Sequence, residues 1–207
     1  MNDQKRLWEN LAKKNSRYYI NSDYGKEISE DKFRESGKRD YIKYISMDSL
    51  ISERMTPHTI LLDIGCGSGR MTEFMAEDFY ETIGIDISRE MINQARERLE
   101  DITNVKFIES DGENIPLPNE SIGMAFSYLV FQHMKTREMV ESNFREVYRI
   151  LKPGGLFKVR VRIDKLDSME SWWSGVYCDE MYPISIGFKL LKREEVGNYG
   201  LWLWLEK

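Results

Sequence analysis

The sequence has few of the residues that build disulfide frameworks and metal sites, and no apolar run that approaches the length of a membrane span. Its 207 residues include two cysteines and two histidines. Cys66 and Cys178 offer neither a disulfide framework nor metal-ligand spacing, so we expect no metal site and a reducing, cytoplasmic setting. The opening residues lack the apolar stretch of a signal peptide. The sequence therefore predicts a soluble, intracellular protein without a membrane partner.

Excess positive charge is also missing. The chain has 30 lysines and arginines against 35 aspartates and glutamates, which gives a net charge of −5. An acidic protein has no overall attraction to phosphate backbones or anionic membranes. This charge weighs against a nucleic-acid substrate, although a local basic groove can exist on an acidic surface. The composition does not indicate an oligomeric state.

An apolar run that breaks into closely spaced glycines organises the chain. Thr59–Asp63 predicts a buried strand, three glycines follow at alternate positions in Gly65–Gly69, and apolar residues at helical spacing predict a helix over Ser68–Asp78. Glycine lets the backbone approach a ligand where any Cβ would collide, and a helix start offers free N–H groups. The pattern predicts a strand, a tight turn and a helix that together face a ligand.

Strand and helix patterns alternate after this turn. Two late strands are joined by four residues, and because a helical crossover needs about a dozen, they must form an antiparallel hairpin. The pattern predicts an α/β fold with a mostly parallel seven-stranded sheet and a C-terminal antiparallel hairpin. The remaining predicted strands and helices are Thr82–Asp86, Arg89–Leu99, Val105–Ile108, Ile122–Tyr128, a helix through Val140 to Leu151 ending at Lys152–Gly155, Leu156–Val161, Gly187–Val196 and Leu201–Leu205.

The first 57 residues are the most polar part of the chain. Leu7–Ala12 predicts a short amphipathic helix, a polar stretch with Tyr18 and Tyr19 follows, and a second helix is expected from Tyr41 to about Ile51. These residues contain too few apolar side chains for a separate core. We therefore expect residues 1–57 to form a helical cap packed on a main domain of residues 58–207.

Acidic residues stand where the predicted strands end, and this is where open α/β sheets bind ligands. A carboxylate at Asp86 can accept hydrogen bonds from two ribose hydroxyls, and one at Asp111 can accept from an exocyclic amine. Each has an ordinary alternative: Asp63 as a turn residue, Asp86 as a helix cap and Asp111 as half of an Asp-Gly turn. Their joint occurrence favours a nucleoside ligand.

The spacing of the glycines excludes two other nucleotide motifs. A dinucleotide-binding fingerprint requires glycine at position 70, where this chain has Arg70. A phosphate-binding loop of the Walker type requires Gly-Lys-Ser/Thr after the turn, and that sequence is absent.

Four ordered motifs carry a family resemblance, and they are Leu62–Gly69, Gly84–Ser88, Asp111–Pro116 and Arg149–Gly155. With them the chain resembles class I S-adenosylmethionine-dependent methyltransferases of the small-molecule, type 11 or ubiquinone-biosynthesis-like, kind. The resemblance implies a Rossmann-like, doubly wound sheet. It also implies S-adenosylmethionine as cofactor and S-adenosylhomocysteine as product.

The resemblance further implies a cofactor site at the ends of the first four strands. Asp86 would bind the ribose hydroxyls, Asp111 the adenine amine, and Ser127 would line the methionine side near the methyl group. The methionine end would lie on Asp63 and the glycine turn. The implied cofactor-binding residues are Asp63, Gly65, Cys66, Gly67, Gly69, Asp86, Ile87, Asp111, Gly112 and Ser127.

Two residues after the fourth strand are candidates for catalysis. Methyl transfer from a sulfonium mainly requires alignment, and a base is needed only if the acceptor loses a proton as it attacks. His133 can act as that base or brace its loop, and Tyr128 can face the sulfonium or pack in the core. Both alternatives stay open.

The acceptor is expected to be a small molecule. Amino-methylating enzymes of nucleic acids carry Asn/Asp-Pro-Pro-aromatic after the fourth strand, whereas this chain has Ser127–Val130 without proline. Aromatic residues of two irregular stretches could wall an acceptor site or simply pack, and the stretch at residues 164–184 is shorter than in the family. These aromatic residues are Tyr18, Tyr19, Trp172, Trp173 and Tyr177. The alternatives are a non-catalytic S-adenosylmethionine-binding protein and a methyltransferase for protein side chains.

Overall fold

A computed structural model describes residues 3–163 and 176–207 of the chain. The chain divides into two compact units, residues 1–110 and residues 111–207. The proposed boundary between a cap and a main domain at residue 57 stays a prediction. None of the described helices is both long enough and apolar enough to cross a membrane; the cytoplasmic location also stays a prediction.

The strands form one seven-stranded sheet in the order β3-β2-β1-β4-β5-β7-β6. The first three strands pair in parallel, as do β4 and β5, whereas β7 is antiparallel to both of its neighbours. This confirms the predicted mostly parallel α/β sheet with a C-terminal antiparallel hairpin. The strands are β1 Ile60–Ile64, β2 Glu81–Asp86, β3 Val105–Glu109, β4 Ile122–Ser127, β5 Leu151–Arg162, β6 Lys189–Val196 and β7 Gly200–Glu206.

The helices of the first unit are α1 Asp3–Ile20, α2 Glu30–Tyr41, α3 Ser49–Ser52, α4 Thr72–Asp78 and α5 Arg89–Arg98. Helix α5 starts where predicted, because the Ser88 hydroxyl accepts a hydrogen bond from the N–H of Met91 at 3.2 Å. Its buried face packs Ile92 and Ala95 against Phe107 of β3. This packing holds α5 against β3.

The N-terminal segment is more helical than its sequence predicts. Helix α1 continues through Tyr18 and Tyr19, which the sequence pattern placed in an irregular stretch. A kink at Asn15 explains the difference: its side-chain oxygen accepts from the N–H of Tyr18 at 3.2 Å and restarts the helix. Helix α2 likewise covers residues expected to be irregular. The predicted second helix is instead a π-helical turn at Ile42–Ser46 followed by the short α3.

The second unit contains α6 Arg137–Ile150 and α7 Met181–Ile186. Helix α6 has the predicted apolar stripe, but it ends before Leu151, which already belongs to β5. The Pro-Gly-Gly sequence therefore lies inside the long strand, where the pairing with β4 shifts register between Ile122 and Met124. Helix α7 was not predicted. The predicted irregular residues 164–175, with Trp172 and Trp173, lie outside the described residues.

Candidate functional site

The glycine turn after β1 combines a required backbone conformation with tight packing. Gly65, Gly67 and Gly69 have φ of 73°, 56° and 81°, which favours glycine. A Cβ at Gly67 would lie 2.8 Å from Cδ1 of Ile20, and one at Gly69 would lie 2.9 Å from Cδ1 of Leu99. The sequence pattern suggested that a Cβ at these positions would collide with a ligand. The structure shows that it would also collide with side chains of the protein itself.

Asp86 joins this turn to the start of helix α5. Its Oδ2 accepts from the N–H of Gly67 at 3.0 Å, and its Oδ1 accepts from the N–H of Ser88 at 2.8 Å. Burial raises the pKa of Asp86 to about 6, although these N–H groups act in the opposite direction. Each carboxylate oxygen has two lone pairs, so each can accept a second hydrogen bond. Ile87, the other candidate at this strand end, is half-buried.

Asp63 is buried beneath the same turn. Its Oδ2 accepts a hydrogen bond from the hydroxyl of Thr72 at 2.6 Å. Burial raises the pKa of Asp63 to about 6, and the Thr72 hydroxyl and the charge of Arg70 partly offset this effect. Neither Asp63 nor Asp86 forms an ion pair within the described part of the chain.

Cys66 is buried within the turn, and its cofactor-binding role stays a prediction. Its side chain packs in the core with Ile92, Leu99 and Phe107. Burial raises the pKa of this thiol, so it stays protonated and inert as a nucleophile. No three His, Cys, Asp or Glu side chains in the described ranges are grouped so as to hold a metal ion.

Arg70 connects the turn to helix α2 through buried groups. Its Nη1 donates to Oδ2 of Asp40 at 2.7 Å and to the hydroxyl of Ser36 at 3.2 Å. Gly37 lets α2 approach, because a Cβ there would lie 2.1 Å from the carbonyl oxygen of Arg70. This link was not predicted from the sequence. Its only local signal is the four-residue spacing of Ser36 and Asp40, which puts both side chains on one helix face.

Helix α1 contacts the carboxyl ends of β2 and β3. Oε2 of Glu9 accepts from the Ser88 hydroxyl at 2.8 Å and from the N–H of Glu90 at 3.0 Å. Lys5 forms a 2.6 Å salt bridge with Glu109. Sequence reasoning found neither residue, since nothing in the pattern of α1 indicates what it contacts.

Asp111 and Gly112 begin a well-bonded turn in the second unit. One oxygen of Asp111 accepts from the N–H groups of Glu113 and Asn114 at 2.8 and 2.7 Å, and the other accepts from the Asn114 side chain at 2.8 Å. These bonds lower the pKa of Asp111 against the opposing effect of burial. The carbonyl of Gly112 accepts from Nδ2 of Asn143 at 2.8 Å. The geometry fits the ordinary turn alternative, and the adenine-binding role stays a prediction.

Ser127 and Tyr128 lie at the end of β4. Ser127 is fully buried and pairs with Val159 of β5. The Tyr128 ring stacks on Trp202, with the ring centroids 5.6 Å apart and the planes 10° apart, and the Arg160 guanidinium lies 5.7 Å from the Tyr128 centroid. Tyr128 therefore packs as an aromatic side chain, and its catalytic role stays a prediction.

His133 is buried in a short 3-10 turn over Phe131–His133. The ring nitrogen Nε2 of His133 lies 3.1 Å from Nε2 of Gln132, and the backbone N–H of His133 donates to the carbonyl of Val130 at 2.9 Å. These contacts are those of a residue that braces its loop. A role as a base stays a prediction.

Comparison with known proteins finds a methyltransferase domain in the central part of the chain. A family model described as a methyltransferase domain matches residues 62–159. The malonyl-[acyl-carrier protein] O-methyltransferase of Marinomonas sp. (strain MWYL1) is 28% identical over 123 residues, 56% of this chain and 44% of that protein. The 2-methyl-6-phytyl-1,4-hydroquinone methyltransferase of Synechocystis sp. is 29% identical over 108 residues, 52% of this chain and 33% of that protein. The matches thus span less than half the length of these relatives.

The fold is similar to that of solved methyltransferase structures. The crystal structure of a SAM dependent methyltransferase from Aquifex aeolicus matches with a TM-score of 0.63 and 18% identity, over 86% of this chain and 98% of that one. At 18% identity this similarity shows the fold alone. The matched domain and the four motifs that run from Leu62 to Gly155 identify residues 62–159 as a methyltransferase domain of the class I S-adenosylmethionine-dependent kind, whose cofactor is S-adenosylmethionine. The fold agrees with this assignment.

Proposed function

We propose that this chain transfers the methyl group of S-adenosylmethionine to a small-molecule acceptor by direct displacement. The observation that carries the proposal is the Asp86 carboxylate, which is half-buried at the end of β2 and oriented by the N–H groups of Gly67 and Ser88. A carboxylate held in this way can accept hydrogen bonds from the two hydroxyls of a ribose without a change in its own orientation.

The residues of the first unit fit this cofactor. The buried carboxylate of Asp63 and the half-buried one of Asp86 keep acceptor positions that no described cation occupies, which suits a ligand that brings hydroxyl and ammonium donors. We assign the ribose to Asp86, flanked by Ile87, and the methionine end to Asp63 and the turn. When bound, S-adenosylmethionine would supply a methyl group on a positively charged sulfur.

The residues of the second unit complete the proposed set. Asp111 and Gly112 would meet the adenine, and Ser127 the methionine side. Tyr128 and His133 would act on the acceptor, Tyr128 through its ring or hydroxyl and His133 as a base if the acceptor loses a proton.

A small-molecule acceptor is supported by two observations. The named relatives include a 2-methyl-6-phytyl-1,4-hydroquinone methyltransferase and a malonyl-[acyl-carrier protein] O-methyltransferase. The net charge of −5 disfavours nucleic acid. Turnover separates this proposal from a non-catalytic binding protein: release of S-adenosylhomocysteine with a panel of metabolites supports the enzyme.

Replacing Asp86 tests the proposed cofactor site. We expect Asp86→Asn to weaken binding of S-adenosylhomocysteine by about 1–3 kcal/mol, because a charged acceptor of hydrogen bonds is lost. Titration calorimetry measures the change, and Glu81→Gln at the opposite end of β2 is the matched control. If neither donor nor product binds the unmodified chain, the proposed function is wrong. If Asp86→Asn binds like the control, Asp86 is not in the site.

A further inference from the structure

Arg160 lies at the end of the parallel pair formed by β4 and β5. Ser127, the last residue of β4, pairs with Val159, so Arg160 is one residue beyond the last pair. Parallel α/β sheets bind ligands outside the carboxyl ends of such strands. On its other side Arg160 pairs with Trp202 of β7. The position therefore places a cation where an acceptor is expected.

Within the described residues, Arg160 lacks the carboxylate partners that other arginines of the second unit have. Arg137 and Arg145 pair with Glu141, and Arg193 pairs with Glu180. Among the residues that the structure describes, no hydrogen bond or ion pair involves the guanidinium of Arg160, and its Nε is a buried donor without an acceptor. Leaving a half-buried cation unpaired costs free energy.

The guanidinium of Arg160 is nevertheless held in place. It lies over the Tyr128 ring, which itself stacks on Trp202. Gly200 leaves room beside it, because a Cβ there would lie 2.8 Å from both Nε and Nη2 of Arg160. A guanidinium stacked on an aromatic face keeps its in-plane N–H donors available. The half-buried Arg160 guanidinium is therefore oriented by its ring contact and, within the described part of the chain, has no hydrogen-bond or ion-pair partner.

The neighbouring Lys158 does not share this property. It is buried, and its Nζ lies 4.9 Å from the centroid of Trp202 and 4.6 Å from that of Trp204. Its charge therefore already faces two aromatic rings. Arg160 is the group on this strand that is poised for a ligand.

We propose that Arg160 binds a carboxylate group of the methyl acceptor, an inference that rests on the proposed function. The two terminal nitrogens of a guanidinium form a fork that matches the two oxygens of a carboxylate, and the single charges balance. Carboxylate oxygens that accept hydrogen bonds from the N–H groups of Arg160 are poor nucleophiles. The carboxylate therefore anchors the acceptor, and the methyl group is transferred to another atom of the acceptor.

Titration of the full chain with benzoate tests the proposal, with benzamide as its neutral isostere. The two are compared by calorimetry, with and without S-adenosylhomocysteine, and by the ¹⁵N–¹H resonance of Arg160 Nε. We expect benzoate to shift that resonance and to bind at least about tenfold more tightly than benzamide. Arg160→Gln should weaken benzoate binding by about tenfold or more, and Arg160→Lys should weaken it less, since a charge remains without the fork. Arg193→Gln is the control.

The inference is overturned if benzoate binds Arg160→Gln as tightly as the unmodified chain, or if benzoate does not bind in either state. The assignment to a carboxylate would also be overturned if phenyl phosphate bound more tightly than benzoate and this binding depended on Arg160. If Arg160→Gln does not fold, Arg160→Lys and the comparison with benzamide decide the question. If the chain binds S-adenosylhomocysteine but not benzoate, only this inference is wrong. If the chain does not bind S-adenosylhomocysteine, the proposed function is wrong.

Discussion

Asp86 shows how one side chain can organise both the protein and its ligand site. Its carboxylate accepts hydrogen bonds from the glycine turn and from the start of α5, which are separated by about one βα repeat. Burial of this group and of Asp63 raises both pKa values to about 6. The two carboxylates are therefore costly to ionise in the folded chain, and a bound ligand that donates hydrogen bonds offsets that cost.

The raised pKa values predict opposite pH dependences for binding and stability. Unfolded carboxyl groups titrate at about 3.9. Between that value and about 6 the folded state therefore binds more protons, so the contribution of Asp63 and Asp86 to stability falls as pH rises and is constant above about 6. Affinity for S-adenosylhomocysteine should instead rise through the same window, because binding uses the ionised carboxylates. Calorimetry at pH 5, 6 and 7 measures this, and equal affinities would contradict it.

Gly67 is a second residue whose role is testable alone. Its φ of 56° is strained for other residues, and a Cβ would also lie 2.8 Å from Ile20. We expect Gly67→Ala to lower the free energy of unfolding by about 2 kcal/mol, from strain plus displacement of Ile20. Gly154 has φ of 76° and nothing within 4 Å of the position that a Cβ would take, so Gly154→Ala should lose only the strain, about 1 kcal/mol. Urea denaturation compares them, and equal losses would show that the Ile20 contact is unimportant.

At the scale of elements, the N-terminal helices are tied to the first unit by polar contacts. Glu9 of α1 accepts from the Ser88 side chain and the Glu90 N–H at the start of α5. These bonds lower the pKa of Glu9 although burial opposes them. Asp40 and Ser36 of α2 hold Arg70. Both helices thus contact the residues that frame the glycine turn and the end of β2.

The Asp40–Arg70 pair gives a prediction for this scale. Both side chains are over nine-tenths buried, at 9% and 5% exposure. Removing one partner of a buried pair leaves an unpaired charge, so Asp40→Asn should lower the free energy of unfolding by about 3 kcal/mol. The exposed pair Lys192–Glu194 is the control, and Glu194→Gln should cost less than about 1 kcal/mol.

Urea denaturation with a double variant distinguishes the charge effect from lost packing. Asp40→Leu combined with Arg70→Met removes both charges, so it should recover much of the stability that Asp40→Asn loses. A double variant as unstable as Asp40→Asn would mean that packing, rather than the unpaired charge, dominates. A loss for Asp40→Asn no larger than that for Glu194→Gln would contradict the prediction itself.

At the scale of the whole molecule, ligand binding should stabilise the fold. A ligand that binds only the folded state at about 100 times its Kd adds about 2.7 kcal/mol. Thermal unfolding with increasing S-adenosylhomocysteine should therefore show a rising midpoint, and adenosine alone should give a smaller rise. An unchanged midpoint at saturating concentration would contradict binding to the folded state.

Much of the fold was predictable because its signals are local. The strand-turn-helix at Leu62–Gly69, the Ser88 cap and the terminal hairpin each depend on residues close in the sequence. The errors occurred where a local signal was incomplete. Tyr18 and Tyr19 are helical because Asn15 restarts α1, and the Pro-Gly-Gly sequence after Leu151 interrupts a strand instead of ending a helix.

The sequence by itself determined the class of fold, the glycine turn and the family, because periodicity, glycine spacing and acidic strand ends are properties of short segments. Only the tertiary structure decided that Glu9 contacts Ser88, that Arg70 pairs with Asp40, and that the Arg160 guanidinium lies over the Tyr128 ring. Such contacts join segments far apart in the chain. Which polar groups become buried together, and which remain without a partner, depends on how the whole chain packs.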